Sequence, residues 1–267
     1  MRLHRRVVPI FALVLVISAA IVSADKTVLA NRSPGAQGPI QILGQREDGT
    51  VGSLKWAGYA VLGNDVTDAR GSWIVPAVDC SENAKDHYAG FWTGIDGYSS
   101  PTVEQTGTFS DCVSGQPSYF AWFEFFPSAA FVVGDFPVNP GDIIEAEVSY
   151  DETSLLFTVH LHDVSTGHSF KISSAVPNAK RNSAEWITEA PASSTQILPL
   201  AEFGSVFYGH YYTGVDKTNY ATANGTTGAI GTFGNVSEIV MVHKDGTLKA
   251  LPSPLSSNGS SFAVTRE

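Results

Sequence analysis

A chain of 267 residues with 16 basic and 26 acidic side chains carries a net charge of −10, which argues against nucleic acid or an anionic membrane surface as its partner. Its two cysteines, Cys80 and Cys112, lack metal-ligand spacing. They form one disulfide if the chain is exported, or stay as two buried thiols. In acid the carboxylates are neutralised and only a sparse set of Lys, Arg and His charges is left to repel, so the composition fits an acid-tolerant protein.

The first residues have the three parts of a secretory signal peptide: basic Met1 to Arg6, an uncharged apolar run from Val7 to Val22, and the small pair Ser23-Ala24. Cleavage after Ala24 removes three of the 16 basic residues and no acid, leaving 13 against 26 and a net charge of −13. An uncleaved membrane anchor is the competing reading of that run. Export predicts a secreted protein, expected as a monomer without lasting membrane association. Residues 25–53 are polar and turn-rich, a linker, a short propeptide or an irregular lead-in to one domain at 54–267.

From Leu54 onward short apolar or alternating runs are separated by Gly, Pro, Asn and Asp, and no stretch keeps a helical period. The pattern predicts strands at roughly 55–62, 72–76, 88–95, 103–109, 118–126, 142–150, 154–162, 168–173, 184–189, 203–211, 227–233, 236–242, 247–251 and 260–265. Lys244-Asp-Gly-Thr247 marks a tight hairpin between two of them. Many short strands with regular turns make an all-β sandwich or barrel.

The most informative strand is Tyr119 to Phe126, where seven of eight residues are apolar. Alternation puts Tyr119, Ala121, Phe123 and Phe125 on one face, suited to a core. The other face carries Phe120, Trp122, Glu124 and Phe126, aromatics with one carboxyl set among them. An isolated buried carboxylate is costly, so Glu124 must be hydrogen-bonded, protonated or paired.

Three other segments hold polar groups where the pattern is otherwise apolar. Asp96 closes the run Phe91 to Gly97 and reads first as a turn cap. Gln105 shares a strand face with Gly107, and glycine there implies close approach of a ligand or another backbone. Glu185, Ile187 and Glu189 share a face of a further strand, with Trp186 turned to the other. His160 and His162 also share a face but have no third ligand at a suggestive distance, so no metal or other cofactor is expected. The chain has no Asp-Thr-Gly, Gly-x-Ser-x-Gly or His-Glu-x-x-His motif.

In order, Trp56-Ala-Gly58, Trp73 to Pro76, Trp92-Thr-Gly-Ile-Asp-Gly97, Gln105-Thr-Gly107, Gly115 to Pro127, Gly141-Asp142, Ala184-Glu-Trp-Ile-Thr-Glu189 and Phe203-Gly-Ser205 resemble the glutamic peptidases of family G1, the eqolisins. The likeness spans roughly residues 54–265. It implies an antiparallel β-sandwich of two large curved sheets, of the concanavalin A-like or jelly-roll type, with a concave cleft. It also implies polypeptide substrates and a catalytic dyad at Gln105 and Glu185, with Trp56, Asp96, Trp122 and Glu124 lining or supporting the cleft. Phe123, Phe125, Phe126 and Ser128 depart from the fungal pattern, which bears on subsite preference.

Two other function classes fit parts of the same sequence. A glycoside hydrolase could use Glu124 and Glu185 as its carboxylate pair, and a lectin could stack sugar on Trp92 and Trp122. A non-catalytic secreted binding domain is the third. Gln105 separates them, because a peptidase needs its amide for the oxyanion and a glycosidase does not.

Overall fold

Runs that alternate in polarity must bury one face each, and here they do so as antiparallel strands stacked in two sheets. The computed structural model describes residues 38–81, 85–193 and 196–267, with the backbone of Leu29–Ala30. The proposed signal peptide lies outside the described residues.

The first sheet runs in order through Leu29–Ala30, Phe131–Val133, Gln116–Phe126, Val103–Val113, Gly90–Ile95, Ser183–Glu189, Trp56–Leu62 and Val236–Val242. The second runs through Ser169–Ser174, Leu156–Asp163, Ile143–Asp151 and Asp68–Ile74, whose free edge takes both Ser205–Tyr208 and Tyr220–Ala223. Phe262–Arg266 and Leu248–Pro252 carry the ladder from Ser205–Tyr208 back to Val236–Val242, so the two sheets are joined along one side.

Side-chain alternation divides the apolar residues into two clusters. One fills the space between the sheets, with Trp73, Trp186, Phe91, Phe123 and Val159 at its centre. The other lies on the opposite face of the first sheet and holds Trp56, Trp92, Trp122, Phe109 and Ile187. The strand read from Tyr119 to Phe126 divides as its period predicts: Ala121, Phe123 and Phe125 join the first cluster, Phe120, Trp122 and Phe126 the second.

Four local expectations change. Part of the segment read as an irregular lead-in is sheet: Val51–Ser53 runs parallel to Val236–Val242, with Ile42–Gln45 antiparallel beside it. The extended run at 203–211 stops at Tyr208 because Gly209, at φ 93, turns the chain into the helical turn His210–Thr213. A side chain at Gly209 would overlap the Ser260 carbonyl. The run at 227–233 keeps its strand only to Ala229 and then turns as a 3₁₀ helix. Tyr220–Ala223 was not read as a strand, although Asn224-Gly225, both at positive φ, is a two-residue hairpin signal joining it to Thr226–Ala229. The hairpin at Asp245-Gly246 forms as read, with the His243 N–H donating to the Thr247 carbonyl at 2.8 Å. Cys80 and Cys112 are disulfide-bonded, tying the loop after Pro76 to the end of the Gln105 strand.

Candidate active site

Strand register aligns the polar residues of the second cluster's face. Glu185 stands opposite Gly94, Gly94 opposite Gln105, and Gln105 opposite Glu124. Paired residues in antiparallel strands point to the same side, so the three polar side chains form one rung across four strands. With strands about 4.8 Å apart, the Glu185 and Gln105 backbones stand about 10 Å from each other. Only Gly94 lies between them. A methyl group on Gly94 would come within 3.1 Å of the Gln105 Cβ and of the Trp92 ring and 2.9 Å of the Glu104 carbonyl, so close packing admits only glycine at this point of the rung.

Hydrogen bonding orders one half of the rung. The Gln105 Nε2 donates to Glu124 Oε2 at 2.8 Å, which answers the need for a partner at Glu124. Glu185 has no hydrogen bond of good geometry to either oxygen. Complete burial pushes its carboxyl well above the usual range; the Ser183 hydroxyl opposes this slightly, and Asp96 and Glu104 add to it.

The next rung is apolar: Ile187, Trp92, Gly107 and Trp122 stand opposite one another in turn. Of the two reasons for a glycine at 107, the structure selects the backbone, because a side chain there would overlap the Phe91 carbonyl and Trp92. Trp56 meets Trp92 edge to face at 4.9 Å. Gln105, Glu124, Glu185, Trp56, Trp92 and Trp122 are all fully buried in the chain. Among the described residues the lead-in contributes to one end of this covering: the Ile40 N–H donates to the Gly97 carbonyl at 3.0 Å, Lys55 Nζ donates to the Gly38 carbonyl at 2.5 Å, and Ile40 packs on the aromatic cluster.

The sequence profile of the Peptidase A4 family matches residues 54–249. The chain belongs to this family. It is 26% identical over 235 residues to aspergillopepsin-2 of Aspergillus niger, an alignment spanning 80% of this chain and 77% of that protein. Among solved structures, scytalido-glutamic peptidase with a transition state analog inhibitor superposes with a TM-score of 0.65 at 19% identity, covering 80% of this chain and 98% of the other. Aspergilloglutamic peptidase from Aspergillus niger gives 0.57 at 26% identity, covering 68% and 99%. The protein is thus a G1 glutamic endopeptidase, a hydrolase acting on polypeptides.

Around the rung, this peptidase has supports that sequence reasoning missed. Glu189, on the Glu185 strand, accepts from Trp92 Nε1 at 2.8 Å and pairs with Lys55 Nζ at 2.8 Å, both ions fully buried. Burial raises the Glu189 carboxyl and Lys55 opposes it. Removing one partner strands the other charge, so Glu189→Leu should destabilise by about 3–5 kcal/mol and the double change with Lys55→Met by much less. Urea unfolding of the three proteins checks this; equal losses in single and double variants would remove the pair from the argument. Glu189 stands four residues beyond Glu185 on one strand, and its partner Lys55 lies far away in sequence, so the pair leaves no local signal.

Asp96 does not join the rung. At φ 70 it turns the chain, and its carboxylate accepts from the Lys180, Arg181 and Asn182 backbone N–H groups at 2.7, 2.8 and 2.9 Å. It therefore fixes the segment that feeds the Glu185 strand, the capping role of the first reading extended to a distant loop. Asp96→Ala leaves three amides unmatched and should cost about 3 kcal/mol or more; an unchanged urea midpoint would refute that role.

Proposed function

We propose that Gln105 and Glu185 are the catalytic pair of this endopeptidase, and the observation carrying this is the strand register that sets their side chains on one rung with only Gly94, which has no side chain, between them. A scissile carbonyl and a water bound there lie between the two side chains. Glu185, ionised, takes a proton from water as its oxygen attacks the carbonyl carbon, then returns that proton to the departing amine. The Gln105 nitrogen carries two hydrogens; Glu124 orients the amide through one, and the other donates to the oxyanion as it forms. A neutral amide keeps this role at any acidic pH. Trp56 and Trp122 wall the cleft, favouring bulky apolar or small residues beside the cleaved bond, and Asp96 acts as a positioning residue.

Because the rung is fully buried in the intact chain, substrate reaches it only when the lead-in moves. The contacts of Gly38 and Ile40 support a short propeptide role for the lead-in. The ladder from Ile42 to Ser53 implies that a removed piece ends before residue 42. Displacement also hydrates Glu185 and brings its pKa down into the acid range, where it can act as base. Residues 1–24 are read as the export signal, and the mature protein as a secreted monomer.

The test is digestion of denatured casein between pH 2 and pH 7 by the chain from residue 25, with N-terminal sequencing at intervals. Acid-limited cleavage insensitive to an aspartic-peptidase inhibitor, appearing with a new N-terminus before residue 42, is the expected result. A folded chain that cleaves nothing in acid would overturn the catalytic reading; full activity with an unchanged N-terminus would overturn the propeptide.

A further inference from the structure

Away from the rung, a cavity of about 390 Å³ opens between the segment Ile197 to Leu200 and the hairpin joining Val236–Val242 to Leu248–Pro252. Five basic side chains line it, His87, His243, Lys244, Lys249 and Arg266, against the single acid Glu202. In a chain with a net charge of −10 this is a concentrated reversal of sign. The acid is already engaged, with Arg266 Nη2 at 2.9 Å from Glu202 Oε1.

Lys249 has no such counter-charge among the described residues. Lys249 is buried, and its Nζ reaches only the Leu54 carbonyl, at 3.3 Å; none of the ion pairs among the described residues includes it. The Arg266 Nε–H is buried and has no acceptor, while Nη1 reaches the Lys249 carbonyl at 3.4 Å. Burial, with Arg266 nearby, drives the Lys249 ammonium down to about 8. A buried ammonium with no ion pair, beside a buried guanidinium N–H with no acceptor, is an unfilled demand for an anion at the cavity.

The other wall is apolar, made by Leu54, Val242 and the run Ile197 to Leu200. A bare inorganic ion would leave that wall unused. We propose that this cavity binds a small carboxylate with an apolar body, its carboxylate between Lys249 Nζ and the Arg266 Nε–H and its body on the Ile197–Leu200 side. A short peptide ending in an apolar residue belongs to this class. Such a site is distinct from the Gln105–Glu185 rung and independent of its chemistry.

Titration calorimetry on the folded chain, at fixed ionic strength and above the ligand's own carboxyl pKa, tests the site with three probes. N-acetyl-leucine carries charge and body, N-acetyl-leucinamide the body alone, and inorganic phosphate the charge alone. The acid should bind at least tenfold more tightly than either other probe, Lys249→Met should weaken it at least tenfold, and the rim change Lys244→Glu severalfold. The same two variants in a Glu185→Gln background should show the same losses, separating this cavity from the cleft. Equal binding of the amide, equal or tighter binding of phosphate, no binding, or binding indifferent to both variants would each overturn the proposal.

Discussion

Glu185→Gln should lower the rate of casein cleavage in acid by about 10³–10⁴-fold, because it removes the group proposed to take and return the proton. Gln105→Ala should lower it by about 10²–10³-fold, the cost of one oxyanion donor, or roughly 3–4 kcal/mol of transition-state stabilisation. Both losses should fall on kcat more than on KM, since each group acts most strongly as charge develops. Gln105→Ala also removes the amide that donates to Glu124, so unfolding curves must accompany the rates. If Glu185→Gln, folded as the wild type, retained more than about a tenth of the activity, general-base catalysis at this residue would be refuted.

Raising the pH from 4 to 9 should strongly destabilise the protein, and Glu104 should be one of the main causes. Glu104 is buried beside Gln105 on the opposite face of its strand, and burial, with Asp96 nearby, pushes its carboxyl from 4.5 up to about 9. The folded state therefore holds this proton across a range where the unfolded chain has lost it. Stability is complete below about 4.5 and falls as the pH rises towards 9, by on the order of 6 kcal/mol from this residue. That is comparable with the whole stability of many domains. Asp111 and Glu185, raised by burial, pull in the same direction. Surface Asp48, Asp79, Asp151 and Asp245, lowered mainly by hydrogen bonds from neighbouring Thr or Ser residues, oppose it only in strong acid. Urea unfolding from pH 3 to pH 8 measures the slope. Glu104→Gln should match the wild type near pH 3–4 and exceed it above pH 6; a variant with an unchanged slope would rule Glu104 out as the cause.

The expected acid stability thus has its physical source in carboxyls kept from water. The same burial that lets the fold survive in acid makes neutral pH hostile to it. Composition pointed the same way for a different reason, net charge, whereas the structure locates the effect in a few buried groups.

Much of the fold was legible because strand period is a local property. Alternation assigned both faces of the Tyr119–Phe126 strand and separated Trp186 from Glu185, and turn residues marked most boundaries. The errors fall where local signals are short or unusual. Val51–Ser53 gains its structure from pairing with Val236–Val242, a partner nearly 200 residues away that local sequence cannot specify, and Ile42–Gln45 pairs in turn with Val51–Ser53.

The site divides in the same way. By itself the sequence determined the residue types, the faces they occupy and, through its ordered motifs, the family. Only the tertiary structure decided register, and register is what puts Glu185, Gly94, Gln105 and Glu124 on one rung. It also joined Lys55 to Glu189, Asp96 to three distant amides, and five basic residues around one cavity. Those partners meet because strands far apart in the chain are neighbours in the sheet, and that adjacency is fixed by burial of the whole core rather than by any local run of residues.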